Sequence, residues 1–338
     1  MKKKTIKINF EYFGPKFNPQ DNFFTNTLRK LYNVEISGKP NYLFYSVYPK
    51  QREIINLSKK GEFIKKISSR LYILLRKIYS KISNFSIKNR FPLPEGNYIK
   101  IFVGSEHIKP DMTKCDWAFG SHFEEEINNT RYMRLLPSLF NDYNLKRMGN
   151  PPLFKKIDFK KIKKEKKRFC NFIYSQDINA RNNFFKKLNK YKKIDAPGRC
   201  MTNMPPINYD NPKESRLSPN WSKEKLKFIN SYKFTISFEN SINSGWVTEK
   251  LIHPMLVNSI PIYFGHKNVD KEFNTKSFIN CNDFKNMKDF INHIIKVDKN
   301  DNLYEKYLKQ PYYKNNKCPK DIHLNDKKIL KKFREIFD

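Results

Sequence analysis

The spacing of apolar and polar positions changes period several times along the chain, and each change predicts an element. Thr5 to Phe13 alternates, with Ile6, Ile8, Phe10 and Tyr12 on one face, which is the two-residue period of a strand. Asp21 then stands where a helix N-cap is wanted, ahead of Phe23, Phe24, Leu28 and Leu31 at helical spacing. Val34 to Ile36, Tyr42 to Val47 and Tyr98 to Val103 read as further strands. From Lys50 to about Asn97 the pattern breaks into an apparent insertion. In it, Ile64, Ile67, Leu71, Leu74, Ile78 and Ile82 mark one helical face, and Lys65, Lys66, Arg70, Arg76, Lys77 and Lys81 supply the other. That basic amphipathic segment has two readings, a helix packed on its domain or an interfacial membrane helix.

Beyond Pro151-Pro152, the lysine run from Lys155 to Arg168 reads as an interdomain linker or a solvated helix face. Phe169 to Tyr174 is again strand-like, and Ser175 to Phe185 reads as a helix start. Tyr232 to Phe238 alternates as a strand, Asn240 to Gly245 is a polar turn, and helical spacing resumes near Thr248 with Leu251, Ile252, Met255 and Leu256. Ile260 to Phe264 is a short apolar run suited to a buried parallel strand. The segment Ile329 to Phe337 is expected to be helical.

This alternation predicts two Rossmann-like α/β domains. The expected division is residues 1–154, with the helical insertion at about 50–97, and residues 155–338, which include the C-terminal helix. The boundary falls near Pro151 to Lys167. Strand, loop, helix and strand from Tyr232 to Phe264 form a βαβ unit, and in open α/β sheets ligands bind beyond the strand carboxyl ends. A helix N-terminus there directs amide donors at an anion such as a diphosphate, and Lys250 on the first turn adds a full positive charge. Read without that context, Glu249 and Lys250 are simply solvated first-turn residues. Pro254 frees the carbonyl of Lys250 and kinks the helix unless it lies in the first turn.

Charge changes the picture less than its size suggests. The 338 residues carry 67 basic and 33 acidic side chains, a net +34, which invites a nucleic-acid or membrane reading. The aromatic fraction of 15% argues against disorder. No nucleic-acid-binding module is recognisable, so no nucleic-acid partner is expected. Five scattered cysteines without a CxxC spacing read as free thiols in a reducing compartment, and a zinc site is not expected. The basic start MKKKTIKINF lacks a long apolar run behind it, which disfavours a signal peptide or a transmembrane helix.

Several short runs, in order and at consistent spacing, carry a family resemblance. These are Phe238-Glu239-Asn240, Gly245-Trp246-Val247-Thr248-Glu249-Lys250, Ile260-Pro261-Ile262-Tyr263-Phe264-Gly265, and Phe273-Asn274 with Ser277 to Asn280. Upstream, Gly104-Ser105-Glu106-His107-Ile108-Lys109-Pro110-Asp111 is similar to a GEN-x-(R/K)-P-D element, with Ser-Glu-His in place of Gly-Glu-Asn. Ser175 to Phe185 is similar to an SN…RxxF element. Together they resemble glycosyltransferase family 10, the α-1,3/1,4-fucosyltransferases that use GDP-fucose, over about Lys7 to Asp283 apart from the insertion.

The resemblance implies a GT-B architecture, two Rossmann-like domains facing across a cleft with the donor in the C-terminal one. It implies inverting transfer of L-fucose from GDP-β-L-fucose to a hydroxyl of an acceptor glycan, of the α-1,3 type. Glu106 corresponds to the general base. Arg181 and Lys250 correspond to the cations that neutralise the departing diphosphate, a task suited to a guanidinium fork and a compact ammonium. Ser175, Arg181, Asn240, Trp246, Val247, Glu249 and Lys250 correspond to positions that bind GDP-fucose. Trp246 departs from the usual tyrosine and loses its phenolic oxygen. No metal or cofactor is expected to be required, a divalent ion being at most stimulatory.

The acceptor is expected to be an oligosaccharide or a lipid-linked glycan. Animal members carry a Golgi anchor, so its absence here points to a cytoplasmic enzyme, with peripheral contact at the inner face of an acidic membrane as an added reading. The alternatives are a related transferase using another GDP-sugar, or, in a different class, a basic protein that binds membrane surfaces or nucleic acid.

Overall fold

The computed structural model describes residues 3–14, 17–48, 93–104, 106, 108–136, 158–207, 221–316 and 326–338. The basic insertion expected from Ile64 to Ile82 lies outside the described residues, as do Ser105, His107 and Cys318. The chain divides into two compact units, residues 1–140 with 326–338, and residues 141–325.

The first unit is built on β1 (Thr5–Phe13), α1 (Phe23–Leu28), β2 (Asn33–Ile36), β3 (Tyr42–Tyr48), β4 (Ile99–Val103), β5 (Trp117–Gly120), a single turn α2 (Glu124–Ile127) and β6 (Tyr132–Arg134). Its six strands run parallel in the order β2-β1-β3-β4-β5-β6. The alternation read in β1 is seen as burial of Ile6, Ile8, Phe10 and Tyr12 between more exposed neighbours. The cap of α1 differs from expectation. Asn22, rather than Asp21, accepts the Thr25 amide at 3.0 Å, whereas the Asp21 carboxylate is taken by the Asn26 side chain at 2.9 Å. The helix ends at Leu28, before Leu31.

The second unit contains α3 (Phe159–Glu165), β7 (Arg168–Asn171), α4 (Asn179–Asn189), β8 (Ile194–Asp195), α5 (Trp221–Ile229), β9 (Tyr232–Phe238), α6 (Glu249–Leu256), β10 (Ile260–Phe264), β11 (Ile279–Asn280), α7 (Met287–Lys299) and α8 (Asp301–Lys309). Its parallel sheet has the order β11-β10-β9-β7-β8. β9 at its centre is buried almost without interruption, as a parallel strand covered on both faces must be. The core gathers Phe172, Phe184, Phe234, Ile236, Ile262 and Phe290. Within the lysine run, α3 buries Ile162, and Lys166 is buried too, donating to the backbone carbonyls of Asn230 and Val257. The run is thus partly a packed element and not only a solvated face. Pro254 sits at the sixth position of the eight-residue α6, past its first turn, and the helix stops two residues later.

The last helix, α9 (Asp326–Phe337), is grouped with the N-terminal unit rather than with the C-terminal domain to which the expected range of 155–338 assigned it. Its apolar stripe explains why. Ile329, Phe333, Ile336 and Phe337 are buried, the Phe337 ring lies 4.4 Å from that of Tyr42, and Phe333 meets Phe119 edge-on. Polar contacts fix the end: Lys4 Nζ donates to the Phe337 carbonyl at 2.6 Å and Tyr32 donates its hydroxyl to Asp338 at 2.7 Å. Fully burying each phenylalanine contributes about 1.5–3 kcal/mol, so the stripe favours docking alongside these polar contacts. Among the described residues, no helix is long and apolar enough to cross a membrane.

Candidate functional site

A polar cluster forms where β7 and β9 end. β9 delivers Glu239 one residue past its last ladder position, and the side chain is turned inward, leaving the residue 6% exposed. The turn from Asn240 to Gly245 reverses the chain, with Gly245 at φ +70°, a left-handed conformation that suits glycine. Thr248 then caps α6, its hydroxyl accepting the Lys250 amide at 3.3 Å. The Glu239 carboxylate accepts from the Thr248 amide at 2.9 Å and from the Thr248 hydroxyl at 2.8 and 2.9 Å. Lys250 Nζ lies 3.4 Å from Glu239, 3.6 Å from Glu249 and 3.1 Å from the Thr248 hydroxyl.

These charges set one another. Burial pulls the Lys250 ammonium down, but the Glu239 and Glu249 carboxylates outweigh it and hold its pKa above the ordinary lysine value. Burial pushes the Glu239 carboxyl up, and the Glu249 charge adds to this against Lys250 and Thr248. Burial acts in the same direction on Glu249, yet Lys250, Lys225 and His253 together hold that carboxyl below the usual range.

The other half of the cluster comes from β7 and α4. Past β7, Tyr174 accepts the Phe238 amide at 2.7 Å and lies 3.0 Å from the Ile236 and Phe238 carbonyls, which ties the loop to the end of β9. The Arg181 guanidinium stacks 3.7 Å over the Tyr174 ring, donates to Asn240 Oδ1 at 2.9 Å and to the Gln176 carbonyl at 2.6 Å, and the residue is 2% exposed. Burial lowers its pKa, partly offset by Tyr174, Cys200 and Glu239. Gly198 lets a neighbouring loop close on this spot: a Cβ there would stand 2.3 Å from the Tyr174 carbonyl oxygen. A small pocket lined by Tyr174, Lys225, Thr235, Lys250 and Pro254 lies beside the cluster.

The structure thus brings Arg181, Asn240, Glu249 and Lys250 into one cluster around Tyr174 and Thr248. Ser175 is exposed on the loop after Tyr174. Trp246 and Val247 are buried, at 5% and 0% exposure, and form the underside of the turn. Sequence reasoning missed Tyr174, which stacks under Arg181, and Glu239, which holds Thr248. The available signals were an aromatic closing the apolar run of β7 and a carboxylate directly after the apolar β9.

Glu106 lies in the N-terminal unit, in the loop after β4, and is partly exposed. Tyr48, at the end of β3, donates its hydroxyl to Glu106 Oε1 at 2.6 Å, and the Glu106 carbonyl accepts the Ile108 amide at 2.8 Å. In the same unit, the fully buried Arg134 closes β6, donating to the Ser121 carbonyl at 2.9 Å with its guanidinium 4.5 Å over Phe123.

The sequence profile "Glycosyltransferase family 10 (fucosyltransferase) C-term" matches residues 162–328. Residues 162–328, just under half of the chain, thus match the C-terminal domain of glycosyltransferase family 10. Among its relatives, an α-(1,3)-fucosyltransferase of Helicobacter pylori is 29% identical over 279 residues, covering 72% of this chain and 53% of the relative. A protein of Acanthamoeba polyphaga mimivirus, named as a candidate fucosyltransferase, is 33% identical over 176 residues, 49% of this chain and 28% of its own length. The chain therefore spans about half or less of these two curated relatives.

A crystal structure of an α1,3-fucosyltransferase with GDP-fucose superimposes with a TM-score of 0.65 at 21% identity, covering 99% of this chain and 91% of the other. That likeness establishes the fold class as GT-B, with two α/β units each built on a parallel sheet.

Proposed function

We propose that this chain is an inverting fucosyltransferase that moves L-fucose from GDP-β-L-fucose to a hydroxyl of an acceptor glycan, of the α-1,3 type. The observation that carries the reading is the pair of buried cations at the ends of β7 and β9, Arg181 and Lys250, beside a helix N-terminus. Such a site is built for a diphosphate, because preformed donors in a low-dielectric setting stabilise charge as it develops on the leaving group. Relatives named as fucosyltransferases support the sugar and the linkage type of this reading.

In this reading, Arg181 and Lys250 take the charge of the departing GDP, and no metal is required for that step. Glu249 and Asn240 accept and orient donor hydroxyls. Glu106 removes the proton of the acceptor hydroxyl as it attacks the anomeric carbon from the face opposite the diphosphate, which inverts the configuration. The acceptor is an oligosaccharide or a lipid-linked glycan.

The test combines labelled GDP-fucose on a glycan array with GDP titration by calorimetry. Fucose transfer is expected, and Arg181→Ala and Lys250→Ala should each weaken GDP by roughly 10- to 100-fold, the range for a charged hydrogen-bond partner. Unchanged GDP affinity in both variants would overturn the donor assignment, and faster turnover of another GDP-sugar would replace fucose.

A further inference from the structure

We infer that Glu239 is a positioning residue of the donor site, acting through Thr248 and Lys250 and completing from a neighbouring strand the cap that α6 cannot complete itself. The inference rests on the proposed role of Lys250 in holding the diphosphate.

A helix that begins with threonine ordinarily finds its reciprocal partner three residues on, where a glutamate or glutamine reaches back to the amide of the cap residue. In α6 that third position is Leu251, which has no acceptor and is fully buried. The Thr248 amide would be left as a buried donor, at a cost on the order of an unmade hydrogen bond. Glu239, nine residues earlier and at the end of β9, fills the gap by accepting that amide at 2.9 Å. Its carboxylate also accepts the Thr248 hydroxyl, and that hydroxyl in turn accepts from the Lys250 amide and from Lys250 Nζ.

The chain Glu239–Thr248–Lys250 therefore fixes both the first turn of α6 and the head of a side chain that would otherwise sample many rotamers. Lysine carries about 2 kcal/mol of rotamer entropy, so an anchored ammonium binds an anion at less cost than a free one. A buried carboxylate is itself costly, and one whose hydrogen bonds go to the amide, hydroxyl and ammonium of a single helix start serves geometry at that start.

A double-mutant cycle on the full chain reads this role, with GDP affinity measured for wild type, Glu239→Gln, Lys250→Met and the double variant. Glu239→Gln alone should weaken GDP about tenfold, whereas in the Lys250→Met background it should add less than about twofold, because contacting residues couple and independent ones add. Equal losses in both backgrounds, or no loss in the first, would overturn the inference. If melting shows that Glu239→Gln does not fold, Thr248→Val is run through the same cycle, with the same non-additivity expected and additivity again overturning it. Absence of GDP binding by the wild type would overturn the donor-site reading itself, and the inference with it. Binding with additive losses would remove only the positioning role.

Discussion

The two parallel sheets each place a carboxylate just beyond a strand end, and they hold it in opposite ways. In the C-terminal unit, Glu239 is buried and engaged by Thr248 and Lys250. In the N-terminal unit, Glu106 is partly exposed and receives the Tyr48 hydroxyl on one oxygen. A carboxylate engaged by fixed donors in a dry setting serves as framework. One at a partly open loop, oriented by the Tyr48 hydroxyl, is open to an incoming group. The contrast matches the division of labour proposed here, with charge held ready in one unit and proton transfer in the other.

The largest effect should come from Glu106→Gln. Transfer should fall by roughly two to four powers of ten, the contribution of acid–base assistance, while calorimetry finds GDP affinity unchanged. A near-normal rate would erase the distinction between the two carboxylates and direct the search to other acids of the N-terminal unit. Gly198→Ala should act next. Its Cβ would collide with the Tyr174 backbone, at 2.3 Å from the oxygen and 2.6 Å from the nitrogen, so the platform under Arg181 must move. A stability loss of about 1–3 kcal/mol in denaturant titration is expected, with weaker GDP binding and no change at Glu106.

The smallest effect concerns Glu249. Its folded-state pKa is depressed, so its charge contributes stability above the ordinary carboxylate range, and that contribution is lost as pH falls through the folded value. Glu249→Gln should thus lower the melting temperature at neutral pH and converge with the wild type in strong acid. With its side chain 38% exposed, solvent screening keeps the difference below about 1 kcal/mol. A constant gap at every pH would show that its charge is not coupled to the cluster.

Much of this arrangement was legible in the chain because it follows from local pattern. β1 from Thr5 to Phe13, β9 from Tyr232 to Phe238 and β10 from Ile260 to Phe264 have the bounds that alternation and apolar runs predict. The start of α6 near Thr248 was equally clear. What escaped depends on contacts between segments distant in sequence. Tyr174 bonds to the end of β9 some sixty residues away, a pairing that no period encodes. β7 was expected to reach Tyr174 but ends at Asn171, where its pairings with β8 and β9 stop, and the Tyr174 ring beyond it stacks under Arg181. The cap at Asn22 over Asp21 was decided by which side chain reaches the Thr25 amide, a choice between adjacent residues that sequence leaves open.

The placement of α9 has a consequence for biosynthesis. The N-terminal unit leaves Tyr42, Phe44 and Phe119 without the Phe333 and Phe337 rings until residues 326–338 have been made. On the ribosome, residues 141–325 are complete before that helix emerges, so the later-synthesised unit is the first able to finish its core. The nascent N-terminal sheet must wait with an apolar face open, a period in which chaperones have their clearest hold on this chain.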